Sequence, residues 1–344
     1  MTDVVAPRRP TIRQVAELAN VSHQTVSRYL REDPGMREEV RSRIADAVTE
    51  LNYRPNVVAR AMRARRSGRL ALVLPLGTAV GSLAILEGAR AEAEAEGLEL
   101  EALFFDGGRS GREHRILEFA DAGFVDGLVS LIPLPAAFAG GPASATPVVF
   151  TGDYDEDMRS IGTLAGADAI GEMIEVLAKA GHRRFLHMAG GYLHTSGRNR
   201  RDAYLAAIER LGLESYGVVD CHWEHAAARE AIVNLPADSG VTAVITANDQ
   251  LAAGVARGAL ERGWRIPEDL VVTGWDNHIV GAVLAPSLTT VETFHEIVGR
   301  NAVRRLIGAI RGDEVELITQ PLTRVIWRES TGDLSAVLGM ESPE

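Results

Sequence analysis

From Thr11 onward the apolar positions fall with a helical period. Ile12, Val15, Ala16 and Ala19 form one stripe, predicting a short helix that Thr11 caps. Val26, Tyr29 and Leu30 repeat the spacing at i, i+3 and i+4, with Ser22 as the cap of a second helix. His23, Gln24, Ser27 and Arg28 gather on its opposite face. Asn20 and Val21 alone separate the two, so the connection is a tight turn, and Asn tolerates the left-handed backbone such turns need. A turn at Asp33-Pro34-Gly35 precedes a third helix from Arg37 to Leu51, whose apolar face is Val40, Ile44, Ala47, Val48 and Leu51. Three small helices then share one core, and the first two make a helix-turn-helix.

Pro55 ends the third helix and Asn56 can cap another. This segment, to about Arg65, combines Val58, Ala59 and Met62 with arginines, as a minor-groove wedge requires; a solvated linker helix is the plainer alternative. From Arg69 the rhythm becomes strand, helix, strand. Strands are expected at Leu70–Leu76, Leu100–Phe105, Gly127–Ile132 and Val148–Phe150, with helices at Ala84–Glu96 and Ile116–Ala122. A second set follows. A helix ends at Ala180, and strands lie at Phe185–Met188, Val218-Val219, Ala243–Thr246 and Leu270–Gly274. Helices Asn199–Leu211, Ala226–Asn234 and Gln250–Arg262 alternate with them. Such alternation predicts two similar lobes, each a doubly wound parallel sheet, with a ligand cleft beyond the strand ends.

Composition changes this picture little: 344 residues, 46% hydrophobic and 24% charged, describe an ordinary globular chain of two or three domains. Without a bilayer-length apolar run or a signal-peptide pattern, and with one cysteine, Cys221, a cytoplasmic protein is expected. The charge distribution matters more. The net −11 conceals a head, through Arg69, with 14 arginines against 8 acidic residues; the remainder holds 22 basic and 39 acidic side chains. A head at +6 on a body at −17 directs nucleic-acid contact to the head.

The polar face of the second helix supplies suitable chemistry. Gln pairs bidentately with an adenine edge, Arg with guanine, and Ser with base or phosphate. At the expected strand ends stand Arg198-Asn199-Arg200, Trp223, Ala247-Asn248-Asp249 and Trp275-Asp276-Asn277. Amide, carboxylate and guanidinium groups beside an indole suit the vicinal hydroxyls and flat face of a sugar, although each residue could instead cap a helix or fill the core. Gly107-Gly108-Arg109-Ser110-Gly111 lacks the Lys-Ser/Thr pair of a P-loop, and Cys221-His222-Trp223-Glu224-His225 lacks a second ligand pair for a metal. No enzyme, cofactor or metal is expected.

Several stretches together resemble the lactose-repressor (LacI) family of bacterial transcription regulators. They are Val15-Ala16 through Val21-Ser22-His23-Gln24-Thr25-Val26-Ser27-Arg28, and Leu51-Asn52-Tyr53-Arg54-Pro55-Asn56. Further along come Ala180-Gly181-His182-Arg183-Arg184, Ala247-Asn248-Asp249-Gln250, Val272-Thr273-Gly274-Trp275-Asp276 and Leu288-Thr289-Thr290-Val291. The resemblance implies a helix-turn-helix head at 1–55, a hinge helix and linker at 56–68, a periplasmic-binding-protein-like effector and dimerisation domain at 69–332, and a short tail at 333–344. It implies a homodimer on double-stranded, pseudo-palindromic operator DNA. The DNA-facing set is Thr11, Ser22, His23, Gln24, Thr25, Ser27, Arg28, Asn56, Ala59 and Met62, the last standing where the family inserts leucine. Arg37 stands where many members carry a capping serine. The effector set is Arg200, Trp223, Asn248, Asp276, His295 and Asp153, for a small-molecule effector of sugar type; a purine-type co-repressor uses similar polar groups. The tail is too short for tetramerising heptads, so dimers are expected.

Overall fold

The computed structural model describes residues 10–30, 33, 35–53, 67–75, 80–105, 109–134 and 146–339. Two compact units divide the chain, Met1–Ser67 and Gly68–Glu344.

In the first unit, α1 (Ile12–Leu18), α2 (His23–Tyr29) and α3 (Glu38–Glu50) enclose a core of Val15, Ala16, Ala19, Val26, Ile44 and Ala47. Tyr29, Leu30, Val40, Val48 and Leu51 close around it, so the stripes read from the sequence are the buried faces. Thr11 forms a reciprocal cap with Gln14: its backbone N–H donates to Gln14 Oε1 at 2.8 Å, and its hydroxyl accepts from the Gln14 N–H at 3.4 Å. Asn20 takes φ 50°, the left-handed turn expected of it, and Val21 N–H returns to the Ala16 carbonyl at 2.9 Å. Arg37 occupies the cap of α3 without a side-chain capping bond. Asn56, Ala59 and Met62 lie outside the described residues.

The second unit holds two lobes. β1 (Arg69–Pro75), α4 (Val80–Ala95), β2 (Glu99–Phe105), α5 (Arg109–Asp121), β3 (Gly127–Ser130) and β4 (Val148–Phe150) build the first. Its sheet has the order β2-β1-β3-β4, parallel throughout, with Leu72 opposite Ala102 on one side and Val129 on the other. Leu70 to Leu74 are wholly buried, as a central strand covered on both faces must be. The second lobe comprises α6 (Asp168–Lys179), β5 (Arg184–Ala189), α7 (Thr195–Leu211), β6 (Glu214–Asp220), α8 (His225–Val233), β7 (Ala243–Thr246), α9 (Asp249–Glu261) and β8 (Val271–Thr273). Its order β6-β5-β7-β8 repeats that of the first. The two similar lobes are therefore present, each wound both ways from its first strand.

Two departures from the sequence reading bear on function. The alternation read from the sequence stops at Gly274, but β9 (Thr290–Thr293), α10 (His295–Arg311), β10 (Thr323–Ile326) and a last turn, α11 (Ser335–Leu338), follow. β9 and β10 pair antiparallel, and their Val291 and Val325 join the core of the second lobe. α10 instead sends Ala302, Val303, Leu306 and Ile307 into the core of the first. The chain thus crosses between lobes repeatedly, which no local periodicity reveals. A Cβ on Gly88 of α4 would sit 1.9 Å from the Glu296 carbonyl, and one on Gly299 of α10 would sit 1.9 Å from that of Ile85, so both glycines permit backbone contact between the helices.

The second departure is that the helix expected at Asn199–Leu211 starts a turn earlier: α7 begins at Thr195, so Arg198 lies inside it with Asn199 and Arg200. Its first turn, Thr195-Ser196-Gly197-Arg198, carries no apolar stripe to announce a helix. Gly197 belongs there because a Cβ would lie 2.7 Å from the Gly191 carbonyl.

Candidate functional site

On the head, the polar face of α2 is turned to solvent. His23 and Gln24 are exposed and make no side-chain hydrogen bond among the described residues. Thr25 and Ser27 are half-buried. The Ser22 hydroxyl accepts the Thr25 N–H at 3.1 Å and pairs with the Thr25 hydroxyl at 2.9 Å, so both side chains serve the cap. Arg28 is held by its neighbour: Nε donates to Asp33 Oδ2 at 2.7 Å, which pushes the guanidinium pKa up. Asp33 in turn accepts the Gly35 N–H at 2.9 Å through its other oxygen.

In the second lobe the decisive residue is Arg200. Its helix α7 starts just past β5, at the point where the strand order reverses between β5 and β7; a switch point of this kind opens a crevice beyond the strand ends. Arg200 is only 6% exposed; its guanidinium donates through Nη1 to the Ala247 carbonyl after β7 and lies 4.2 Å over the Trp275 ring after β8. Asp276 Oδ1 stands 3.9 Å from Nη2. Arg200 Nε, Trp275 Nε1 and His295 Nδ1 are buried without a partner among the described residues. Such orphaned polar atoms are costly, and the Arg200 and Trp275 N–H groups mark a place that donates hydrogen bonds to an acceptor from elsewhere.

Burial governs the electrostatics. It lowers the Arg200 pKa, with Asp276 and Asp249 opposing the shift, and raises that of Asp276, with Arg200 and His278 opposing. His295, the first residue of α10, is held down to about 4 by burial and then by the nearby Arg200 charge, so its ring is neutral at pH 7. His187, wholly buried on β5, is also lowered to about 4 by burial; its Nδ1 lies 2.9 Å from the Ile245 carbonyl, and its ring stacks on Tyr204 at 5.0 Å.

Trp223 follows β6, the strand beside β5. Its indole lies against the Gly190-Gly191 backbone, since a Cβ on Gly190 would fall 2.2 Å from the ring, and its Nε1 donates to His194 Nδ1 at 3.1 Å. Four of the seven described non-glycine residues with positive φ are His222, Trp223, Asp276 and Asn277, at the ends of β6 and β8. Backbone held in that region clusters where side chains must be aimed. Asn248 caps α9, accepting the Leu251 N–H at 2.9 Å through Oδ1; this leaves its amide nitrogen without a partner among the described residues. Asp249 beside it is structural, its oxygens accepting the Thr290 hydroxyl and the His278 N–H at 2.6 Å each, and burial pushes its carboxyl up to about 6.

Asp153 follows β4 of the first lobe. It makes no hydrogen bond or ion pair with Arg200, Asn248 or Asp276, and it lines a different cavity with Arg305 of α10. Trp275, His194 and His187 were not assigned from the sequence. Only Trp275 had a local signal, inside the Val272–Asp276 stretch; the others are recognisable by contact alone.

Comparison with known proteins bears on this arrangement. Residues 11–56 match the profile of bacterial regulatory proteins of the lacI family, and residues 174–331 match a periplasmic binding protein-like domain. The HTH-type transcriptional regulator CelR of Thermobifida fusca is 30% identical, with 94% of this chain and 98% of the relative covered. The chain belongs to the LacI family. It is a DNA-binding transcriptional regulator, and its relatives are regulators rather than enzymes. Among these LacI relatives, the lactose operon repressor of Escherichia coli is 27% identical over 89% of this chain and 86% of its own length. The fold matches the structure of the lac repressor dimer bound to operator and the anti-inducer ONPF with a TM-score of 0.72, at 24% identity over 95% of this chain and all of the other. A CelR–cellobiose complex matches with a TM-score of 0.56 and 27% identity, over 94% of this chain and all of the other. No helix among the described residues is long and apolar enough to cross a membrane.

Proposed function

We propose that this LacI-family chain is a homodimeric repressor whose affinity for a pseudo-palindromic operator is set by a sugar bound at Arg200. Within the α2 face, Gln24 and His23 read base edges in the major groove, joined by Arg28 once it exchanges Asp33 for DNA. Thr11, Ser22, Thr25 and Ser27 position the helix and meet phosphates, while Asn56, Ala59 and Met62 act in the minor groove. The observation that carries the effector reading is the buried Arg200 guanidinium, flanked by Asp276 and bearing a donor with no partner. Arg200 and Asp276 grip adjacent hydroxyls, Asn248 offers its free amide nitrogen, and Trp223 and His295 bound the ring.

The relative that carries cellobiose in its solved complex supports a sugar over a purine. Dimerisation is supported by the exposed apolar residues Ile279, Val280, Val283 and Leu284, which follow one another closely in the chain and suit burial against a second copy. Sugar changes operator affinity only by binding one lobe arrangement better than the other.

The test selects genomic fragments with the purified protein, then measures their affinity while glucose, ribose and cellobiose are titrated. Site-selective binding that shifts with one sugar is expected. Selection of no fragment would remove the operator reading, and indifference to every sugar the effector reading.

A further inference from the structure

A second cavity, of about 250 Å³, opens where α10 meets the crossover segments 151–163 and 318–322. None of Arg200, Trp223, Asn248, Asp276 or His295 lines it. Its volume holds several non-hydrogen atoms, against roughly 30 Å³ for one water in the liquid. Ile297 and Leu322 give it an apolar side, while Thr151, Asp153 and Arg305 supply its polar groups.

The polar side is incomplete. Asp153 is 8% exposed, and its Oδ2 has no hydrogen-bond partner among the described residues; the Thr151 hydroxyl has none either. Arg305 lies on the same cavity, exposed and outside every described ion pair. Asn301, by contrast, is spent, its amide closing on the backbone of Ile318 at 2.8 and 2.9 Å. Thr151 and the Arg305 charge offset part of the burial of this carboxyl, but a buried Oδ2 left without a partner, beside a guanidinium that acts on it through charge alone, is an unfavourable arrangement in an empty protein. An occupant bearing one charge of each sign relieves both ends at once.

We propose that this cavity is a second ligand site, for a small zwitterion of the α-amino-acid type. Its ammonium meets Asp153 and the Thr151 hydroxyl, and its carboxylate takes the fork of Arg305 in the bidentate manner that guanidinium favours. A neutral sugar would leave the Arg305 charge unused. Because the cavity is walled by segments that run between the lobes, its occupant bears on the same lobe arrangement as the effector, from a separate position.

The full-length protein is titrated calorimetrically with L-alanine, L-serine and L-glutamine, and with D-glucose, sodium acetate and methylammonium chloride as single-feature controls. Saturable binding of at least one amino acid is expected, with both half-ligands at least tenfold weaker. Asp153→Asn and Arg305→Met should each weaken it about tenfold or more, whereas Asp276→Asn should not. Unchanged circular dichroism and melting of each variant keep the comparison clean, and Arg305→Met, at an exposed position, is the variant least able to disturb folding. Absence of amino-acid binding up to about 10 mM would overturn the proposal. So would loss of it in Asp276→Asn, or equal binding of glucose that Arg305→Met leaves intact.

Discussion

Two arginines in this chain face opposite problems. Arg28 sits on an exposed helix face with its guanidinium in water, paired to Asp33 at 2.7 Å. Arg200 is buried, rests on the Trp275 ring, and has Asp276 at 3.9 Å with one donor unmatched. An exposed pair exchanges partners easily, because water solvates both charges during the swap. A buried guanidinium cannot leave, and its alternatives are a ligand or an unpaired donor. The same side chain therefore serves as a transferable contact on the head and as a fixed anchor in the lobe.

Four substitutions sharpen or break that contrast. Arg200→Ala should cost the most: roughly 3 kcal/mol of unfolding free energy, since it strips a buried ion and leaves the Ala247 carbonyl and Asp276 without it. It should also abolish the effector response while the α2 face still binds operator. Denaturant titration and operator binding with and without sugar read the two effects, and an intact sugar response would break the anchor reading.

Next is His295, whose environment the buried arginine helps to set. Its folded pKa of about 4 lies below the ordinary 6.5, so between these values the unfolded chain binds more protons. Stability must therefore rise as pH climbs through that window. His295→Gln removes this dependence: the parent-minus-variant difference in unfolding free energy should grow by about 2 kcal/mol from pH 5 to pH 7. His187 adds a slope of the same sign. Asp249, raised to about 6 from 3.8, opposes them by losing stability as pH rises through that interval. A flat difference between parent and variant would show that the ring is not desolvated.

On the head, Gln24→Ala should weaken operator binding about tenfold or more and relax preference at one base pair, with melting unchanged. Footprints of undiminished selectivity would remove α2 as the reader. The smallest effect belongs to Asp33→Asn, which frees Arg28 from its ion pair. Operator affinity should shift by no more than about threefold and depend less on the pair than on salt. A large loss would mean that Asp33 holds Arg28 in its reading position.

The head was legible from the sequence because everything in it is local. Val26, Tyr29 and Leu30 face the core while His23, Gln24 and Arg28 face water, as their spacing requires, and the turn at Asn20 follows from its side chain. The α/β alternation was legible for the same reason, down to the two repeated sheets. The ligand-facing cluster was named residue by residue through resemblance, but its geometry was not foreseeable. Arg200 was expected just inside a helix starting at Asn199, and the polar first turn of α7 hid its true start at Thr195.

What the sequence determined by itself, as far as Gly274, was the set of features with a period of two or 3.6 residues: most helices and strands, several caps and the exposed face of α2. The tertiary structure alone decided that Arg200 meets residues 247, 275 and 276 and lends its charge to His295, that α10 returns to the first lobe, and that Asp153 and Arg305 line one further cavity. The physical reason is that helix and strand contacts are fixed by neighbours along the chain. Burial, and with it the pairing of charges and the direction of each pKa shift, depends on segments that meet only after the chain has crossed between lobes.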